Sequence, residues 1–176
     1  DGIICGRIEK TFQHLGENKS SMIIVPALLK RDRFEVLIEK ATELGVKEIQ
    51  PILTERCIKR KINMERCQKI IRSSSKQCQR SHFPIIHEPV EIIDWLSEPK
   101  KQCFAGMIGT KDRLTNFKYD KDISVSILIG PEGDFSNQEL EQMKTAGVKL
   151  FSLGNRRLRA ETAAQASLSI LNELLV

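Results

Sequence analysis

The sequence predicts an α/β fold: a mostly parallel sheet with helices on both faces. Three observations lead to it. From Arg31 onward, short apolar segments of strand character alternate with segments whose apolar residues recur at helical spacing. Residues 124–129 form a continuous apolar-rich run, the pattern of a strand buried on both faces. The helical segments carry start and stop signals, with Ser136 and Glu139 at capping-box spacing and Gly45 and Gly147 at C-terminal positions.

The elements follow in order. Residues 2–6 and 21–25 read as two short strands joined by a polar turn around 16–19. Two strands cannot bury a core alone, so they either pack on the main domain or belong to a domain whose beginning is missing. Asp32 is expected to cap a helix, with Glu35 at the capping-box position. Phe34, Leu37, Ile38, Ala41 and Leu44 form its apolar stripe. Residues 47–53 read as a strand stopped near Pro51, and Asn63 opens a long helix to about Arg80. A short strand over 84–87, a short helix over 90–96 and a strand over 102–108 come next. The buried strand 124–129 leads into the helix capped by Ser136 and ended by Gly147. A strand over 148–153 and a helix over 161–175 close the chain; that helix starts with small residues and ends in Leu171, Leu174 and Leu175.

Totals narrow the class. The length of 176 residues suits one mid-sized domain, or one domain plus a fragment, and the opening Asp1 suggests a piece of a longer chain. No apolar run approaches a membrane span, and no signal-peptide core is visible. The net charge of +5 points modestly to a polyanionic partner, and equally to a merely basic chain. Five cysteines (Cys5, Cys57, Cys67, Cys78 and Cys103) with no C-x-x-C spacing argue against a disulfide framework or a zinc site, and for a reducing, cytoplasmic setting. Cys67 and Cys78, eleven apart on one helix face, read as buried apolar positions. His14, His82 and His87 show no metal-ligand spacing, so no metal is expected. Dinucleotide, Walker A, serine-hydrolase and zinc-protease motifs are absent.

Ligands of open parallel sheets bind beyond the C-terminal ends of the strands. Three strand ends here are glycine-rich: Gly106-Met107-Ile108-Gly109, Ile129-Gly130-Pro131-Glu132-Gly133, and Leu153-Gly154 followed by Asn155-Arg156-Arg157-Leu158-Arg159. Glu132 would favour a cationic ligand such as a sulfonium, although an ordinary turn into a helix is the better explanation of that loop taken alone. Three arginines ahead of a helix oppose its dipole and so suit an anionic partner; a plain Arg159–Glu161 ion pair is the alternative. Between Arg56 and Arg80 lie nine basic residues and one acid, Glu65. A stripe so short of acids favours RNA over a solvated face of mixed signs.

Together these motifs closely resemble the bacterial 16S ribosomal RNA uracil-N3 methyltransferases (RsmE type) of the SPOUT superfamily. The resemblance is carried by Ile129-Gly130-Pro131-Glu132-Gly133-Asp134-Phe135-Ser136 and by Ser152 to Ala163, with Leu153-Gly154-Asn155 and Arg159-Ala160-Glu161-Thr162 at its centre. Lys40-Ala41-Thr42-Glu43-Leu44-Gly45-Val46 and Gln77-Cys78-Gln79-Arg80 fit in the expected order. It runs from about Lys30 to the end. It implies a C-terminal deep trefoil knot, a homodimer, and S-adenosylmethionine held in the three glycine-rich loops. It further implies that residues 1–27 are the remnant of an N-terminal PUA-like barrel and that 28–176 are the SPOUT methyltransferase domain.

On that resemblance the cofactor is expected at Ile108, Gly109, Ile129, Gly130, Pro131, Glu132 and Gly133, and at Leu153, Gly154, Leu158 and Arg159. Arg159 and Arg80 are the candidates for stabilising charge on the uracil carbonyls. Glu132 is the candidate for orienting a proton acceptor or favouring the sulfonium. Arg56, Lys59, Arg60, Lys61, Lys69, Arg72, Lys76, Arg80 and Arg156 are expected to contact 16S ribosomal RNA or the small ribosomal subunit. Three positions depart from the family: Asp134 stands where a glycine is usual, Arg157 where an apolar residue is common, and Lys76 where an acid is common. Rival readings are a related enzyme acting on transfer RNA, and a non-catalytic RNA-binding assembly factor that kept the fold.

Overall fold

Strand β1, Met22–Pro26, lies in the middle of the main sheet, hydrogen-bonded in parallel to a strand on either side. The computed structural model of the chain describes residues 5–99 and 101–175. After β1 come α1 (Arg31–Glu43), β2 (Glu48–Ile49), β3 (Ile52–Leu53), α2 (Met64–Gln77), β4 (Ile85–Ile86), β5 (Val90–Glu91) and α3 (Ile92–Trp95). Then follow β6 (Cys103–Gly106), a 3-10 turn at Leu114–Asn116, β7 (Val125–Ile129), α4 (Asn137–Thr145), β8 (Lys149–Phe151) and α5 (Ala160–Leu174). The six-stranded sheet has the order β4-β2-β1-β7-β6-β8, every pairing parallel; β3 and β5 form a small parallel pair beside it.

The place of β1 corrects the expectation that residues 21–25 pair with 2–6 and fall in a separate unit ending at 27. Ile24 and Val25 are fully buried and point into two different cores, so β1 cannot be separated from the sheet. Residues 2–4 lie outside the described residues, and Cys5 and Gly6 are in no strand. A strand with alternating residues in two cores has no polar face, which is the mark of an interior parallel strand. Strand β7 repeats the pattern: Val125, Ile127 and Ile129 join one core and Leu128 the other. The first core lies under α1, α2 and α5, and the second under α3 and α4.

Local signals were met unevenly. The Asn63 side chain accepts from the Arg66 amide at 3.0 Å, as an N-cap does. Ser136 and Glu139 form the expected reciprocal box. Asp32 does not cap α1; Lys30 is its N-cap and makes no side-chain cap bond, while Glu35 instead pairs with Arg66 at 2.9 Å. Pro51 divides the strand expected over 47–53 into β2 and β3, and the helix expected over 90–96 begins only after β5. Helix α2 stops at Gln77 because Gln79 turns left-handed (φ 58°). The five cysteines form no disulfide among the described residues; Cys67 is buried and Cys78 half-buried.

Candidate active site

Strands β7, β6 and β8 are neighbours and parallel, so their C-terminal ends, Ile129, Gly106 and Phe151, share one edge of the sheet. Beyond that edge is a cavity of about 290 Å³, near the lower end for a small-molecule site. The β6 end contributes Gly106, Met107 and Ile108, and the β7 end Ile129, Gly130, Pro131, Glu132 and Asp134. The chain after β8 contributes Leu153, Gly154, Arg156, Arg157, Leu158 and Arg159, and the start of α5 adds Ala160 and Ala163.

The β7 loop is braced at several points. A Cβ on Gly130 would stand 3.1 Å from the Phe135 ring, so only glycine permits so close an approach without displacement. Asp134 is left-handed (φ 65°), and its carboxylate accepts from the Phe135 amide at 2.9 Å. Asp is among the few residues that tolerate this conformation, which explains how the loop keeps its turn without the usual glycine. Arg56 donates to the Gly133 carbonyl and, at 3.3 Å, to that of Phe135. The Glu139 carboxylate accepts from the Ser136 amide at 2.7 Å and from the Glu55 amide at 2.8 Å, tying the loop to the segment after β3.

The β8 loop is shaped by Gly154, whose φ of +116° strains any residue with a side chain. Its amide donates to Ser152 Oγ at 3.1 Å. Arg159 is the N-cap residue of α5, and the small side chains of Ala160 and Ala163 leave the helix's first turn open to the cavity. Arg156, Arg157 and Arg159 are exposed around the mouth. The unsatisfied amides of a helix N-terminus and three guanidinium groups make this rim attractive to anions.

A bridge that sequence reasoning missed crosses behind the β7 loop. Arg33 Nη1 on α1 donates to Glu132 Oε1 at 2.9 Å, and its Nε lies 3.9 Å from Glu161 Oε1 on α5. No Arg159–Glu161 ion pair forms among the described residues; Arg33 occupies that role. Helical spacing alone could place Arg33 on α1, but not opposite carboxylates about a hundred and more positions later.

Of the eleven residues expected around a cofactor, nine line the cavity: Ile108, Ile129, Gly130, Pro131, Glu132, Leu153, Gly154, Leu158 and Arg159. Gly109 and Gly133 do not, the latter lying against the Arg56 side chain. The lining adds Gly106, Met107, Asp134, Arg156, Arg157, Ala160 and Ala163, which stand in the same motifs but outside the expected cofactor set.

Arg80 is corrected. Its side chain is 2% exposed and bound to Glu17 and to the Thr42 carbonyl, at the far end of α1 from Arg33, so it does not reach the cavity of this chain. The basic stretch also needs revision. Arg60 pairs with Glu91, Arg66 with Glu35, Lys69 with Glu65 and Arg80 with Glu17, while Arg56 holds the β7 loop. Apart from Arg56, which meets only main-chain carbonyls, Lys59, Lys61, Arg72 and Lys76 are the members whose charges meet no carboxylate among the described residues; all but half-buried Lys59 are exposed. Among the described residues no group of three or more His, Cys, Asp or Glu could hold a metal, and no helix is long and apolar enough to cross a membrane.

The RNA methyltransferase domain family matches residues 16–172, nearly the whole chain. The chain belongs to this family. A curated relative, ribosomal RNA small subunit methyltransferase E of Rickettsia conorii, is 33% identical over 150 residues, covering 83% of this chain and 62% of its own length. The relative of the same name from Mesomycoplasma hyopneumoniae is 33% identical over 155 residues, 84% of this chain and 67% of its length. The chain thus spans about half to two thirds of the length of the curated relatives it matches. Among solved structures, a family member from Neisseria gonorrhoeae, ribosomal RNA small subunit methyltransferase E bound to S-adenosyl methionine, superposes with a TM-score of 0.84 at 28% identity, over 90% of this chain and 68% of its own. A Legionella pneumophila methyltransferase in complex with the cofactor SAM gives 0.83 at 31% identity, over 90% and 68%. These neighbours share the α/β fold with its mostly parallel sheet.

Proposed function

We propose that this chain transfers a methyl group from S-adenosylmethionine to N3 of a uridine in the 16S RNA of the small ribosomal subunit. One observation carries the reading: a cavity walled by glycine-rich strand ends opens onto Arg156, Arg157 and Arg159, in a chain of the RNA methyltransferase domain family. The names of its relatives support the RNA class, and the bound cofactor of its structural neighbours supports the donor.

The residues present fit that donor. Ile108, Ile129, Leu153 and Leu158 offer apolar walls to an adenine, and the loops bring main-chain groups close. The Glu132 carboxylate suits a positive sulfur. When bound, the cofactor supplies a methyl group activated by that sulfonium. Uracil N3 is a poor nucleophile until its imide proton leaves, and it lies on the pairing edge, so the base must be unpaired or flipped. Negative charge then develops on the uracil carbonyls. Arg159 at the mouth donates to that charge, aided by the N-terminus of α5. Lys59, Lys61, Arg72 and Lys76 contact RNA phosphates.

The same reading threads the chain after β8 through the segment 107–124 as a trefoil knot, in a homodimer. One hydrogen bond supports the threading by setting the chain after β8 against that segment: Ser152 N to the Asp112 carbonyl, 2.8 Å.

Purified protein, labelled S-adenosylmethionine and unmodified 16S RNA or small subunits provide the test, with primer extension to locate the product. A methyl at N3 blocks pairing, so a single reverse-transcription stop in 16S RNA is expected. No stop on either substrate, from protein that binds the donor, overturns the proposal; so does a stop confined to transfer RNA.

A further inference from the structure

We propose that Arg33 is a positioning residue: it sets how much negative charge Glu132 presents to the cavity, and so how strongly the cavity separates the cationic methyl donor from its neutral product. This rests on the reading that the cavity holds S-adenosylmethionine.

Arg33 does not itself line the cavity; it acts from α1 through Glu132, which does. One guanidinium serves two carboxylates. It donates to Glu132 at 2.9 Å and stands 3.9 Å from Glu161, whose side chain is only 12% exposed. Glu161 Oε2 is buried without a hydrogen-bond partner. A buried carboxylate with an open acceptor strongly attracts the nearest cation, so Arg33 is drawn from both sides and shared. The three groups together carry one net negative charge, with Glu132 at the cavity wall and Arg33 and Glu161 behind it. Removing Arg33 doubles that charge; neutralising Glu161 removes it.

Donor and demethylated product differ by one methyl and by one positive charge on sulfur. Every apolar and main-chain contact to adenine, ribose and the amino-acid part is common to both. A change of charge behind Glu132 therefore moves the ratio of the two affinities. Loss of a merely structural staple between α1, the β7 loop and α5 would weaken both ligands alike. Catalytically, the arrangement keeps Glu132 negative enough to seat the sulfonium, and shielded enough that the site is not locked in that state.

The test is calorimetry of S-adenosylmethionine and S-adenosylhomocysteine on the wild-type chain and on Arg33→Met, Arg33→Lys and Glu161→Gln, with melting curves for each. In Arg33→Met the preference for donor over product should rise about threefold to tenfold at low salt, and shrink as salt is raised. Arg33→Lys should restore it to within about a factor of two, since the charge is retained. Glu161→Gln should lower it by about twofold to fivefold, which keeps the test open if Arg33→Met does not fold. Equal losses for both ligands, or an unmoved ratio in Glu161→Gln, overturn the assignment to Arg33 and leave the cavity reading standing. A folded wild-type chain that binds neither ligand overturns the cavity reading and this proposal with it.

Discussion

Glu17 and Arg80 form a buried two-point ion pair between residues 63 positions apart: Arg80 Nη2 and Nε lie 2.8 and 3.2 Å from the two Glu17 oxygens. Both side chains are 2% exposed. The pair fastens the segment ahead of β1 to the turn after α2. It also removes from the cavity an arginine that the motif pattern had assigned to catalysis.

Acid stability follows from this pair. Burial pushes the Glu17 carboxyl up, but hydrogen bonds from Arg80, Lys47 and the His82 amide, with the charge of Arg80, bring it down to about 2. A depressed carboxyl contributes stability that is complete above its ordinary value of 4.5 and is lost as pH falls toward 2. Denaturant unfolding followed from about pH 6 down to about pH 2 should show this loss. Glu17→Gln should flatten the slope and cost about 3 kcal/mol at neutral pH, because Arg80 is left buried and uncompensated. An unchanged slope in Glu17→Gln would show that other carboxyls control it.

Arg159 and Arg80 should separate cleanly. Arg159 is exposed at the cavity mouth, so Arg159→Ala should leave the melting temperature within error while methyl transfer falls about a hundredfold. Arg80→Ala should lower stability first. Equal turnover in a folded Arg159→Ala variant would remove Arg159 from the mechanism.

At Asp134 the backbone decides. With φ at 65°, Asp134→Gly should be tolerated, since the turn geometry suits glycine. Asp134→Val forces a β-branched residue into that conformation and loses the bond to the Phe135 amide, at a cost of about 1–3 kcal/mol. Thermal melts of the two variants, compared directly, check this.

RNA affinity should respond to the open charges and not to the paired ones. Reversing Arg72 and Lys76 to Glu should weaken RNA binding and lower the salt dependence by about two ions. Changing Arg60, already paired with Glu91, should have a smaller effect. Filter binding across a salt series measures both; identical slopes for all variants would place the RNA elsewhere.

The alternation of strands and helices, the Ser136–Glu139 box, the Asn63 cap and the three glycine-rich loops were all readable in the chain itself. Each depends on residues within a few positions of one another, where spacing and backbone preference act directly. The loops' convergence on one cavity also followed, because parallel strands must end at the same edge. Tertiary structure alone decided which charges are free. The basic stretch looked short of acids only because its partners Glu17, Glu35 and Glu91 come from other elements. It alone placed β1 inside the sheet, and brought Arg33 to Glu132 and Glu161. Pairing across long separations is set by how the elements pack, and that is a property of the whole chain that no local window contains.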